Sequence, residues 1–419
     1  MTLFSELTLA SGGVLPNRIA KAAMEENMAD GDHAPSAELL KLYRAWAEGG
    51  TGLIITGNVM IDARAMTGPG GVVLEDDRHL DRFAHWAEAA GQGGALVWMQ
   101  LNHPGRQMQV ALGQEALAPS AIPVDLGPQS KHFALPREMT SDEIAEVESR
   151  FVATALLAAR AGFHGVQIHA AHGYLLSQFL SPLSNHRKDR WGGSLENRAR
   201  LLLDVIRRLR AELPKGFALS VKLNSADFQR GGFSPDDARR VVDLLAGLGV
   251  DLVELSGGSY ESPAMAGMAR DARSLAREAY FLEFAEEIAK TATVPLMVTG
   301  GIRRREIAEE ALASGMAMVG LATALAIDPE LPNRWKAGQG RAPVLRTVRW
   351  KNKPLAGLAL MAAVKYQLDR LARGRKSAPG VFPLWALIVA QLKNKARARR
   401  YRRWMASGRR GVGQDGQAA

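Results

Sequence analysis

Along the first 334 residues, short apolar runs alternate with longer stretches in which apolar positions recur every three or four residues. The short runs read as strands and the longer stretches as amphipathic helices. Strands are predicted at RIAKAAM (18–24), GLIITGN (52–58), ALVWMQL (95–101), GVQIHAA (165–171), ALSVKLN (218–224), LVELSGG (252–258), PLMVTGG (295–301) and AMVGLAT (317–323). Helix starts are marked by Ser36 ahead of AELLKLYRAWAE, by Thr140 with Glu143 as a capping box, and by Ser234 with Pro235 at the first helical position. Gly162, Gly249 and Gly315 stand where the chain leaves a helix and turns toward the next strand, a place that favours a residue free to take φ > 0. Strands apolar on both faces suit a buried parallel sheet. Eight such units in succession predict an α/β fold of the TIM (β/α)8 barrel class. A doubly wound sheet is the alternative, but no G-x-G-x-x-G follows the first strand.

The pattern changes after residue 340. PLAGLALMAAVKYQLDRLARGRK (354–376) predicts a helix with a broad apolar face, and VFPLWALIVAQL (381–392) runs into KNKARARRYRRWM with Tyr401 and Trp404 interleaved. This divides the chain into a barrel (1–340) and a basic, partly apolar helical C-terminal extension (341–419). The net charge of +10 hides that division: from Trp335 onward there are 20 Lys and Arg against 2 acids, so the preceding residues carry −8. Twelve apolar residues are too few to span a bilayer. They suit either a helix packed on the barrel or on a second copy in a homo-oligomer, leaving a solvated basic end, or an interfacial helix placing 381–404 on an anionic membrane surface. Nucleic acid is a poor partner, because the acidic barrel repels phosphates and no nucleic-acid-binding fold accompanies the basic run. The chain has no cysteine, which excludes disulfides, thiol nucleophiles and iron–sulfur clusters. The start MTLFSELTLASGG carries Glu6 and no basic segment before an apolar run, so no signal peptide is expected and the predicted location is cytoplasmic, including the inner membrane surface if the extension binds lipid.

In a TIM barrel the chemistry sits at the C-terminal ends of the strands. Polar residues collect there: Glu25, Asn58, Gln100, Asn102, His103, His169, His172, Tyr174, Lys222, Asn224 and Thr299. Lys222 interrupts an apolar strand, and a buried lysine needs an anion or an electron-rich ligand. Gln100 can both donate and accept, as recognition of a uracil-like edge requires. The turns TGG and GLAT follow strands seven and eight, where barrels commonly hold a phosphate on backbone N–H groups. His169 and His172 could be zinc ligands with His103 as a third, although the H-E-x-x-H arrangement is absent. They could instead grip the oxygen of a reacting carbonyl, which two imidazole N–H donors suit better.

The stretches NRIAKAAM, GLIITGN, WMQLNHPGRQ, VKLNSADF, VTGGIR, GLATALAIDPELP and above all the run from His169 to Arg198, with SPLSNHRKDRWGGSLENR, resemble the old yellow enzyme family of FMN-dependent NAD(P)H oxidoreductases over residues 2–338. The resemblance implies FMN as cofactor, NAD(P)H as reductant and a small enone-type substrate whose activated C=C bond is reduced. It implies that Ala22, Ala23 and Met24 lie along the flavin ring with Gly57 beside it. Gln100 and Lys222 would bind the pyrimidine end, and backbone groups of Gly300, Gly301, Ala322 and Thr323 the phosphate. His169 and His172 would hold the substrate carbonyl, and Tyr174 would donate the proton. Two departures stand out. Thr323 occupies a position where many members carry Arg, leaving Arg303 and Arg304 as candidate phosphate partners. Glu25 stands at a substrate-facing position often taken by Cys or Thr, where an ionised carboxylate opposes flavin reduction unless it is paired or turned away. The readings in other classes are a zinc-dependent hydrolase and a membrane-recruited binding protein with an idle barrel.

Overall fold

The computed structural model describes residues 2–262 and 281–407. Its barrel strands are β1 (Ile19–Lys21), β2 (Leu53–Met60), β3 (Leu96–Asn102), β4 (Gly165–Ala170), β5 (Ala218–Asn224), β6 (Leu252–Ser256), β7 (Leu296–Thr299) and β8 (Met318–Leu321). Each pairs in parallel with the next. The pairing of Val319 in β8 with Ile19 in β1 closes the ring, so the fold is a TIM barrel. The outer ring comprises α1 (Ala37–Glu48), α2 (Leu80–Gly91), α3 (Ser141–Arg160), α4 (Leu195–Glu212), α5 (Pro235–Ala246), α6 (Leu282–Ala289) and α7 (Arg305–Ala313), with short helices Thr323–Ile327 and Leu331–Lys336 after β8.

The local signals do what their chemistry dictates. Ser36 Oγ accepts the Leu39 N–H at 3.2 Å, Thr140 and Glu143 bond reciprocally, and Ser234 forms a box with Asp237 behind Pro235. Gly162, Gly249 and Gly315 take φ of +85°, +72° and +95°. Strands start within a residue of their predicted positions, but β1 stops three residues and β6, β7 and β8 two residues short of the predicted ends, while β2 runs two residues past its own. Each ladder ends before its glycine-rich or polar turn, which leaves the sheet at the face where a site is built.

The strands read as continuous apolar runs because both of their faces are buried. Inside the barrel Ala20, Leu53, Ile55, Trp98, Ala218, Leu252, Met297 and Met318 form a plug. An antiparallel pair, Leu7–Thr8 with Val14–Leu15, closes the bottom of the plug with Leu9 and Leu15. Outward-facing residues such as Val166, Val221, Val253 and Val298 join the helices in the larger core. Filling the lower barrel this way confines polar side chains to the upper end.

Two helices follow the barrel, α8 (Lys353–Ala372) and α9 (Pro383–Ser407). They meet through Ala362, Ala363 and Ala386, and Lys393 pairs with Asp369 across them. One face of the basic end is docked on the barrel, while Lys395, Arg399, Arg400, Arg402 and Arg403 along it stay exposed. Tyr401 is completely buried, and its hydroxyl donates to Ala63 O at 2.7 Å. The Trp404 ring lies 4.5 Å from that of His33. The apolar part behaves in the opposite way, with Phe382, Leu384, Trp385, Ile388 and Leu392 exposed. None of the described helices is long and apolar enough to cross a membrane.

Candidate active site

Strand register brings the predicted polar residues together at the upper end of the barrel. His169 stands beside Lys222, Lys222 beside Glu254, and Gln100 beside both Asn58 and Gln167. Between Ile55 and Asn58 the β2–β3 register slips, and Thr56 Oγ1 accepts the Gln100 N–H at 2.9 Å. Such a bulge re-aims the residues that follow it. At Gly57 the chain itself demands glycine, since a Cβ there would meet Glu26 Oε2 at 1.9 Å and Met24 O at 2.1 Å.

Glu254 is fully buried and collects three donors. Lys222 Nζ approaches Oε1 at 2.7 Å, Thr299 Oγ1 donates to the same oxygen at 2.7 Å, and Gln167 Nε2 donates to Oε2 at 2.9 Å. A carboxylate only accepts, so Gln167 must turn its NH2 toward Glu254 and its oxygen toward Gln100. Gln100 Nε2 donates to that oxygen at 2.7 Å. The orientation leaves Gln100 Oε1 free to accept a hydrogen bond from a ligand. Sequence reasoning missed Glu254 and Gln167, although a carboxylate inside LVELS is the same anomaly as the lysine inside SVKLN. It also missed a second buried pair, Lys21 with Glu26 at 3.0 Å, to which the Tyr43 hydroxyl donates at 2.8 Å. Burial lowers the Lys21 pKa even against that partner, and burial together with Glu26 raises that of Tyr43.

His169, His172 and Tyr174 converge, with ring centroids 5.1 Å apart for the two imidazoles and 4.8 Å apart for His169 and Tyr174. Burial, reinforced by Lys222, holds both imidazoles well below their ordinary pKa, so they are neutral. His169 Nδ1 accepts the Ala171 N–H at 3.2 Å, which puts the His169 proton on Nε2. His172 sits at φ +62°, its backbone N–H bonded to Asn224 Oδ1 and its Nε2 2.8 Å from Ser256 Oγ. If the serine donates, the His172 proton lies on Nδ1. Tyr174 is 5% exposed, and burial, then Tyr260 and Glu25, raises its pKa well above 10. It is therefore a neutral acid, and its hydroxyl is 3.0 Å from that of Tyr260, another residue that sequence reasoning missed. His103 faces another way: Nδ1 accepts the Gly105 N–H, and burial lowers its pKa to about 4. Among the described residues no group of three His, Asp or Glu side chains is placed to hold a metal.

Glu25 is paired. Its Oε1 accepts from Thr67 Oγ1 at 2.7 Å and its Oε2 lies 3.1 Å from Lys365 Nζ of α8. Burial pushes this carboxyl up, but Lys365, Thr67 and Asn27 together outweigh it and hold the pKa below the ordinary value. The sequence-level condition for a lowered flavin potential, an unpaired carboxylate, is therefore not met.

FMN fits these residues on the chemistry of the donor set. Gln100 Oε1 is an unused acceptor. Gly300 and Gly301 take φ of +149° and +71°. Neither α7 nor helix Thr323–Ile327 has a side-chain cap bond, which leaves their first N–H groups for an anion. Arg304 is the N-cap residue of α7, with Arg303 just before it.

The sequence pattern of the NADH:flavin oxidoreductase / NADH oxidase family matches residues 2–341. An NADH-dependent flavin oxidoreductase of Hypocrea jecorina is 38% identical over 348 residues, 78% of this chain and 86% of that protein. An NADH oxidase of Thermoanaerobacter brockii is 36% identical over 342 residues, 80% of this chain and 51% of that longer protein. Among solved structures, an old yellow enzyme homologue from Zymomonas mobilis matches with a TM-score of 0.69 at 25% identity, covering 85% of this chain and 99% of that one.

Proposed function

Because the chain belongs to the NADH:flavin oxidoreductase / NADH oxidase family and is thereby an FMN-dependent NAD(P)H oxidoreductase, we propose that it reduces the activated C=C bond of α,β-unsaturated carbonyl compounds. Gln100 and Lys222 would hold the pyrimidine end of the flavin, Ala22, Ala23, Met24 and Gly57 would line its ring, and backbone groups of Gly300, Gly301, Ala322 and Thr323 would hold its phosphate. Held there, FMN would supply the hydride for substrate Cβ, with NAD(P)H as its source. His169 through Nε2–H and His172 through Nδ1–H donate to the carbonyl oxygen, where negative charge develops. Tyr174 gives its proton to Cα and is reprotonated from solvent by way of Tyr260. Each turnover consumes one NAD(P)H and one proton and converts C=C to CH–CH. Glu25, held by Thr67 and Lys365, borders the substrate side.

The observation that carries this reading is the convergence of two neutral imidazoles and a neutral phenol on one side of the Gln100–Lys222 row. The purified protein should be yellow, its absorbance bleached by NADH or NADPH under nitrogen and restored by cyclohexenone. Flavin that bleaches yet stays reduced with the enone would sink the ene-reductase assignment while leaving the family assignment intact.

A second reading concerns location. Phe382, Leu384, Trp385, Ile388 and Leu392 are exposed, as are Leu355, Leu358 and Met361 on α8, and exposed Arg346, Arg349, Lys351 and Lys395 lie in the same extension. Asp369 is the sole acid from 341 to 407 and is already paired, so two copies docking through this face would bring like charges together. An anionic lipid surface complements it. Full-length protein should sediment with phosphatidylserine vesicles and lose that binding in a Trp385→Ser/Leu392→Ser variant; equal sedimentation of the two would dismiss the idea.

A further inference from the structure

The family match ends at residue 341, yet the helices beyond it reach the loops that surround the site. In α9, Tyr401 is enclosed by Met60, Ala63, Met66 and Val73 after β2, and by Met108, Leu112 and Ala116 after β3. The Arg397 Cδ lies where a Cβ on Gly70 would meet it at 3.0 Å, and Arg400 Nη2 donates to Ala29 O at 3.4 Å in the loop after β1. Three loops on the active face are thus held by one helix. From α8, which packs against α1 and the helix after β8, Lys365 reaches Glu25, the residue that follows Met24 in the loop after β1.

The pairing has an electrostatic consequence. Glu25 acts on both Tyr174 and Tyr260, raising the pKa of each. Its carboxylate is met by the hydroxyl of Thr67 and the ammonium of Lys365, with Asn27 also lowering its pKa and the charge of Arg397 farther off. Lys365 is therefore the only cation in contact with this carboxylate among the described residues. Without it a negative charge would stand uncompensated beside the substrate acid and the ring-lining Met24.

We propose that the C-terminal extension completes the active site, with Lys365 as a positioning residue that acts through Glu25 to neutralise the substrate side of the flavin. This rests on the flavin reading above and deepens it: the extension sets the charge that an incoming nicotinamide or enone meets.

The test is the midpoint potential of bound FMN in the full-length holoenzyme, measured by dye equilibration at pH 8. Lys365→Met should shift the potential to more negative values, because reduction then adds negative charge beside an unpaired anion. Lys365→Arg should leave it at the wild-type value. Lys365→Met/Glu25→Gln should return it to the wild-type value or above, a rescue that loss of packing alone cannot produce. A potential unchanged by Lys365→Met, or a shift that survives Glu25→Gln, overturns the proposal. Protein purified without flavin would instead overturn the cofactor reading on which it rests.

Discussion

At the scale of single residues, the site works by keeping titratable groups in one protonation state. The His169 ring is buried and the His172 ring half-buried beside a lysine, so a proton on either would add to existing positive charge; both stay neutral and act as donors from one nitrogen. Tyr174 is kept protonated by burial, by Tyr260 and by Glu25, and only a protonated phenol can deliver the proton that Cα requires. A Tyr174→Phe variant should bind FMN and be reduced by NAD(P)H as the wild type is, while its reoxidation by an enone slows by roughly 10²–10⁴, the usual worth of a positioned acid. Stopped-flow measurement of the two half-reactions separates these effects, and an unchanged oxidative half-reaction would remove the acid role. Much of this was legible beforehand, because HAAHGY places three functional side chains within six residues. Tyr260 was not: nothing in GSYES marks its tyrosine as the neighbour of another one 86 positions earlier.

At the scale of elements, adjacent strands assemble one hydrogen-bonded row. Glu254 on β6 anchors Lys222 on β5, Thr299 on β7 and, through Gln167 on β4, the amide of Gln100 on β3. One acceptor thereby orients both of the side chains assigned to the pyrimidine end of the flavin. Glu254→Gln removes the charge that offsets Lys222, so the flavin midpoint potential should rise. It also leaves a buried ammonium unpaired, which should cost about 3 kcal/mol of apoprotein stability. Dye equilibration and urea unfolding measure the two effects, and an unmoved potential would mean that the row does not tune the flavin. The strands themselves were readable from their apolar runs, but the row was not, because register across a sheet is set by barrel closure and not by any one strand.

At the scale of the whole molecule, burying neutral imidazoles ties stability to pH. His103, His169 and His172 all have pKa values lowered from 6.5, His103 to about 4. Above about 6.5 these groups are neutral in the folded and unfolded chain alike, and the fold keeps its full stability. As pH falls below that value the unfolded chain takes up protons that the fold refuses, and stability is lost progressively; His103 alone accounts for about 3 kcal/mol by the time pH reaches its folded value. Carboxylates held low, such as Glu143 at about 2 beside Arg137, begin to matter only below their ordinary 4.5. The urea midpoint should therefore fall between pH 7 and pH 5, and a midpoint constant over that range would contradict the buried neutral state.

The barrel, the starts of its strands, the caps of its helices and the positions of the chemical groups at the strand ends follow from the amino-acid sequence. Those features are encoded locally, in the period of apolar residues and in residue types suited to a cap or a turn. Tertiary structure alone decided the charge state of the site. Lys222 meets Glu254 because two strands pair in one register, and Glu25 meets Lys365 across 340 residues because the extension docks over the loops. Periodicity records which face of an element is buried, whereas a Coulomb partner depends on where distant elements come to rest, and no local pattern specifies that.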